Sequence, residues 1–104
     1  MTFTGNEDHS ISLETASKWT KNYRETISQG QTIAHAFGKS AIDAILNQEG
    51  CVGIRLYYAL DDEGAKQIIV VGIDSNGNDL YNGLLAERSF RCPPSCSATN
   101  PLNS

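Results

Sequence analysis

No apolar run in this chain approaches the roughly 20 residues that a membrane-spanning helix needs. The N-terminus, MTFTGNEDHS, also lacks the basic segment and apolar stretch of a secretory signal. Together these absences lead us to expect a protein that stays in the cytoplasm and has no membrane partner. Basic residues are scarce: eight Lys and Arg stand against twelve Asp and Glu, for a net charge of −4. Nucleic-acid binders usually carry a basic stripe, so no nucleic-acid partner is expected. There are only three cysteines, and an odd count suits a reducing compartment better than an exported disulfide scaffold. Catalytic signatures are missing as well. There is no Gly-x-Ser-x-Gly, no dinucleotide fingerprint and no P-loop. The Gly38-Lys39-Ser40 triplet follows a stretch, residues 31–37, that has no glycine. The sequence therefore gives enzymatic activity no support.

At 104 residues, the chain has the length of one domain and can bury a core without covalent staples. Its densest apolar segment is CVGIRLYYALDDEGAKQIIVVGID, residues 51–74. In its first half Val52, Ile54, Leu56 and Tyr58 alternate with Gly53, Arg55, Tyr57 and Ala59, the period of two of a half-buried strand. The second half, Ile68 to Ile73, is an unbroken apolar run that suits a strand covered on both faces. Asp61 to Gly64 supplies the turn between them.

Before this hairpin, residues 1–9 read as a flexible polar arm. Ser12 is a helix N-cap with Glu14 in the first turn. From there Leu13, Ala16, Trp19, Tyr23 and Ile27 mark one face of a helix ending near Ser28, with Gly30 as its stop. Residues 31–37 fit a helical turn or an extended connector. A second helix is expected from Gly38 to Gln48, with Ala41, Ile42, Ile45 and Leu46 on its apolar stripe and Gly50 beyond its end. After the hairpin, Asn76-Gly77 is a strong turn signal and implies a return strand, for which residues 80–90 are available as strand or helical turn. Residues 91–104, RCPPSCSATNPLNS, are rich in proline and polar groups and should continue neither sheet nor helix. The expected architecture is α+β: two N-terminal helices packed on a small antiparallel sheet of about three strands. Residues 10–90 form the single domain and 91–104 a cysteine-containing tail. One sheet face would take Trp19, Tyr23, Ile42 and Ile45. The second strand's other face would need the tail or a second copy of the chain as cover.

Chemistry has few places to sit. Cys92 and Cys96 lie within zinc-ligand spacing, and Cys51 with His9 or His35 would complete a set of four. The intervening Pro-Pro-Ser opposes this. An extended run would hold the two α-carbons roughly 12 Å apart, beyond the approximately 7 Å limit of a disulfide, unless Pro94 makes a turn. Plain thiols in a structural tail, a disulfide or redox-sensitive pair, and a metal site are the three alternatives. Cys51 with His35 would make a nucleophile and base, but a helix C-terminus disfavours a thiolate there. Asp74, Asn76 and Asn78 resemble the start of a calcium loop, yet Asp79 stands where glycine is required and Leu85 where glutamate is; a hairpin turn explains the same residues. Arg55 and Tyr57 share one sheet face and form a candidate binding surface for a carboxylate or ring, or a solvent-facing row with Arg55 paired to an acid.

The motifs Phe37-Gly38-Lys39, CVGIRLYY at residues 51–58, VVGID at 70–74 and CPPSC at 92–96 together resemble a family of small uncharacterised bacterial proteins, over most of residues 10–96. The resemblance implies a small stand-alone cytoplasmic protein and carries over no functional residue. Two function classes follow from the residues. One is a binding or interaction module forming a homodimer through its sheet. The other is a metal-binding or redox-responsive protein using Cys92 and Cys96, with zinc as the natural metal.

Overall fold

The structure, a computed structural model, describes residues 1–104. It contains two helices and two small antiparallel sheets, an α+β arrangement: α1 (Leu13–Arg24), β1 (Ala34–Ala36), α2 (Lys39–Leu46), β2 (Gly53–Leu60), β3 (Lys66–Ile73), β4 (Leu85–Ala86) and β5 (Phe90–Cys92). These elements fall into two compact units. One comprises Met1–Glu7 and Phe37–Ser89, the other Asp8–Ala36 and Phe90–Ser104.

The first unit is built on the β2–β3 hairpin. The strands pair antiparallel along their whole length, Gly53 opposite Ile73 through Leu60 opposite Lys66. The order is β2-β3-β4, which makes β3 the central strand and leaves one edge of β2 without a neighbour. Residues opposite each other in an antiparallel pair point to the same face. Ile54, Ile68, Val70 and Ala86 consequently face α2 and meet Phe37, Ile42 and Ile45 in the core. Gly72 leaves room on the sheet for the side chains that follow α2, Gln48 and Cys51. A Cβ there would lie 2.9 Å from Cys51 Sγ and 3.1 Å from Gln48 Nε2. Gln48 itself ties the helix end to the return segment: its Nε2 donates to Ile45 O (2.9 Å) and its Oε1 accepts from the Leu84 N–H (2.8 Å).

The unbroken apolar run of β3 is covered on both faces within one chain. Val71 is 1% exposed and Ile73 2%, so a second copy is not required as their cover. Part of that cover comes from the N-terminal residues read above as a loose arm. Phe3 lies over Gly53 beside Ile73, and its N–H donates to Ser75 O at 2.9 Å. Gly53 is what admits the ring, since a Cβ there would stand 2.7 Å from Phe3 Cε1. The return strand is shorter than expected: only Leu85 and Ala86 pair with β3. Asp74 explains the turn before it, its Oδ1 accepting from the N–H groups of Asn76 and Asn78, both at 2.9 Å.

The second unit holds α1 and the β1–β5 ribbon. Ser12 caps α1, accepting from the Thr15 N–H at 3.1 Å. The helix stops at Arg24, a turn before Ser28, because the Thr26 hydroxyl and N–H both bond to Tyr23 O (2.7 and 2.9 Å) and tighten the last turn. The expected packing face of α1 is not a core face. Trp19 is 60% exposed and Leu13 and Tyr23 are also exposed, and the helix buries no residue. The three-stranded sheet takes its helical cover from α2. The tail also departs from expectation, because Phe90–Cys92 forms a strand, with Ala34 opposite Cys92 and Ala36 opposite Phe90. Proline forbids a ladder donor only at its own position and favours an extended residue before it, so β5 runs up to Pro93 and ends there. The last residues fold back on Arg24, whose guanidinium donates to Leu102 O (2.7 Å) and Ser104 O (3.0 Å).

Replacing Gly72 with alanine should force Cys51 and Gln48 away from the sheet. A loss of about 1–3 kcal/mol of unfolding free energy is expected in a urea titration; an unchanged midpoint would mean that Cys51 and Gln48 do not crowd Gly72 as described.

Candidate functional site

Two side-chain groups carry chemistry. The first lies in the hairpin unit. Arg55 and Tyr57, two apart on β2, face the side of the sheet opposite α2, and the structure supplies a third member that the sequence reading placed in a turn. Asp79 forms an isolated bridge with Ile73. Its carboxylate takes a hydrogen bond from Arg55 Nη1 on one oxygen and one from the Tyr57 hydroxyl on the other. Those bonds hold the Asp79 carboxyl below its ordinary range, the Tyr57 bond contributing most and Arg55 adding to it against partial desolvation. The same bond to Asp79 raises the Tyr57 phenol, assisted by desolvation and the carboxylate charge. Arg55 is likewise raised, first by its bond to Asp79. Of the two readings of this row, the geometry matches the pairing of Arg55 with a nearby acid. An incoming carboxylate would have to displace Asp79.

The second group lies in the ribbon unit. Cys92 and Cys96 are joined by a disulfide, their α-carbons 4.7 Å apart, where an extended run would have separated them by roughly 12 Å. The chain instead turns back: both X–Pro bonds of the Cys-Pro-Pro run are cis, and the Ser95 N–H reaches Arg91 O at 2.9 Å. The two cysteines differ in setting. Cys92 is 5% exposed at the end of β5, with its carbonyl accepting from the Ile33 N–H at 2.7 Å. Cys96 is exposed. It borders a groove of about 570 Å³ that also involves Arg24, Ile27, Gly30, Ile33 and Pro93. His35, opposite Arg91 in the ribbon, has its imidazole pushed below the ordinary value by partial burial and by the Arg91 charge.

The remaining nominated residues are not gathered into a site. Cys51 is a half-buried free thiol that donates to Gly53 O at 3.2 Å. No set of three or more His, Cys, Asp or Glu side chains comes together to hold a metal ion. As disulfide partners, Cys92 and Cys96 offer no thiolates for zinc. Asp74 spends its carboxylate on the turn. Gln48 and Asp79 are the residues that sequence reading missed: neither has a spacing signal, because each acts across a loop. Comparison with protein families, with curated proteins and with solved structures found no match.

A pH titration tests the Arg55–Tyr57–Asp79 cluster. Because the folded Tyr57 phenol lies above its ordinary value of 10.0, its contribution to stability is complete below that pH and is lost as pH rises through the raised value. Asp79, lowered from 3.8, works the other way, contributing above that pH and losing its effect as pH falls through the lowered value. Absorbance titration should show the Tyr57 phenol ionising above its ordinary value, and Asp79→Asn should bring it back towards that value. A titration unchanged by Asp79→Asn would contradict the hydrogen bond.

Proposed function

We propose that this chain is a small interaction module that self-associates through the free edge of β2. The observation that supports this is the exposure of a long, largely apolar edge strand. Tyr58 is 94% exposed, Leu60 70% and Leu56 55%, on an eight-residue strand with a neighbour on one side only. Such an edge presents a row of unpaired backbone groups and is a template for another strand; proteins usually guard it with lysine, proline or a bulge. Here Arg55 is the sole charged residue in the strand and is already engaged by Asp79. A second copy fits this edge without bringing like charges together. Two-fold pairing is antiparallel, so the acidic turns at Asp61–Glu63 lie at opposite ends of the joined strands. With Tyr57 on the axis, Leu56 stands opposite Tyr58 and Ile54 opposite Leu60.

This surface differs from the one first expected, since Val71 and Ile73 are covered within the chain. Light scattering over a concentration series should show monomers passing to dimers. The double variant Tyr58→Lys/Leu60→Glu, which keeps an opposite charge facing Lys66, should stay monomeric with stability within about 0.5 kcal/mol of wild type, as befits exposed positions. A wild-type protein that remains monomeric at the highest concentration would end this reading.

A second reading is supported by the Cys92–Cys96 disulfide: a redox-responsive protein. A standing disulfide belongs to an oxidising compartment, whereas in the reducing cytoplasm the same pair would stand as thiols. Denatured protein should bind one equivalent of thiol reagent at Cys51 before reduction and three after it. Three equivalents without reductant would remove the reading.

A further inference from the structure

We propose that Cys96 is the sulfur at which this protein exchanges disulfides and that the groove beside it seats a cysteine-bearing peptide as the thiol substrate. The proposal rests on the redox reading above and adds to it the point of attack and the substrate class. Thiol–disulfide exchange requires the incoming thiolate to reach one sulfur of the bond in line, so access selects the sulfur that is attacked. Cys92 is buried at the end of β5, pinned by its pairing with Ala34 and by the Ile33 N–H. Cys96 is exposed and borders the groove. The asymmetry makes Cys96 the site of attack and Cys92 the leaving group.

The groove indicates the substrate. Its volume of about 570 Å³ falls within the approximate range of 300–1,000 Å³ for ligand sites. Ile27, Ile33 and Pro93 give it apolar surface, Ser28, Gln29 and Gln31 give it uncharged polar groups, and no acidic side chain lines it to repel a thiolate. Arg24, its one cationic lining residue, is occupied by the Leu102 and Ser104 carbonyls. A short uncharged peptide segment with apolar side chains matches these walls better than a small thiol carrying several charges.

The substrate thiol loses its proton to water, and its thiolate attacks Cys96 Sγ. A substrate–Cys96 disulfide forms, the Cys92–Cys96 bond breaks, and Cys92 leaves as a thiolate that takes a proton from water. A second substrate thiolate then attacks the substrate sulfur of the mixed disulfide and expels Cys96 as a thiolate, which is protonated in turn. Two substrate thiols are oxidised to one disulfide, and the protein disulfide is reduced by the same two electrons. A single turnover needs no further oxidant.

The test uses full-length oxidised protein carrying Cys51→Ala, so that only the disulfide pair reports. An apolar single-cysteine peptide is mixed with it, quenched with an alkylating reagent, and the mixed disulfide is located by peptide mapping. Glutathione at equal concentration is the second arm. The expected result is peptide attached at Cys96, formed on the order of tenfold faster than the glutathione adduct. Ile27→Asn, which removes apolar wall without adding charge, should slow the peptide arm and leave the glutathione arm unchanged. Ile27→Ala, the milder truncation of the same wall, serves the same purpose if Ile27→Asn fails to fold. Attachment at Cys92, or equal rates in both arms insensitive to the groove variants, would overturn the proposal while leaving the disulfide itself intact. Protein isolated with all its thiols free would overturn the redox reading on which it rests.

Discussion

The central constraint on the hairpin unit is that β3 must be covered on both faces. Five apolar side chains around Gly72, from Ile68 to Ile73, cannot all find shelter on one side of a sheet, because their directions alternate. The protein solves this with two different covers. On one face α2 delivers Ile42 and Ile45 against Val70 and Ala86, and Gly72 makes room for Gln48 and Cys51 just beyond the helix. On the other, Phe3 lies over Gly53 next to Ile73. Both solutions use a glycine at the point of closest approach, and both leave the far end of β2, from Leu56 to Leu60, without cover.

That division of the hairpin into a covered end and a bare end connects fold to function. β2 and β3 have equal lengths and pair throughout, yet β3 becomes buried towards Ile73 while β2 becomes exposed towards Leu60. An apolar edge left bare in one chain suits pairing with another chain. The Arg55–Tyr57–Asp79 cluster sits between these regions and neutralises the one charge that would otherwise mark the edge. The disulfide loop belongs to the other unit, and its chemistry stands or falls independently of the edge.

Much of the hairpin was legible in the sequence because its signals are local. Period-two alternation in Val52 to Ala59 and the continuous run in Ile68 to Ile73 each specify a strand; the run also reports the burial of β3, whereas the alternation overstates that of β2, where Leu56 and Tyr58 are exposed. The parity of Arg55 and Tyr57 placed them on one face. Longer-range features were less visible. The 3-3-4-4 spacing of Leu13 to Ile27 reports a helical face but not whether anything packs against it, and most of that face is exposed. Phe3, a single aromatic in a polar segment, gives no pattern at all, yet it forms part of the cover of β3. Asp79 reaches Arg55 through a loop whose path depends on Asp74 and Gly77. The cysteine spacing was compatible with thiols, metal or a disulfide because the outcome depends on which way the Pro93–Pro94 backbone turns, and composition does not encode that direction.

Amide hydrogen exchange at low and high protein concentration tests the central claim most directly. If two copies join through the β2 edge, the amides of β2 that point away from β3 should slow as concentration rises, while those of β3 keep the same rates. Exchange in β2 that is independent of concentration would contradict the account.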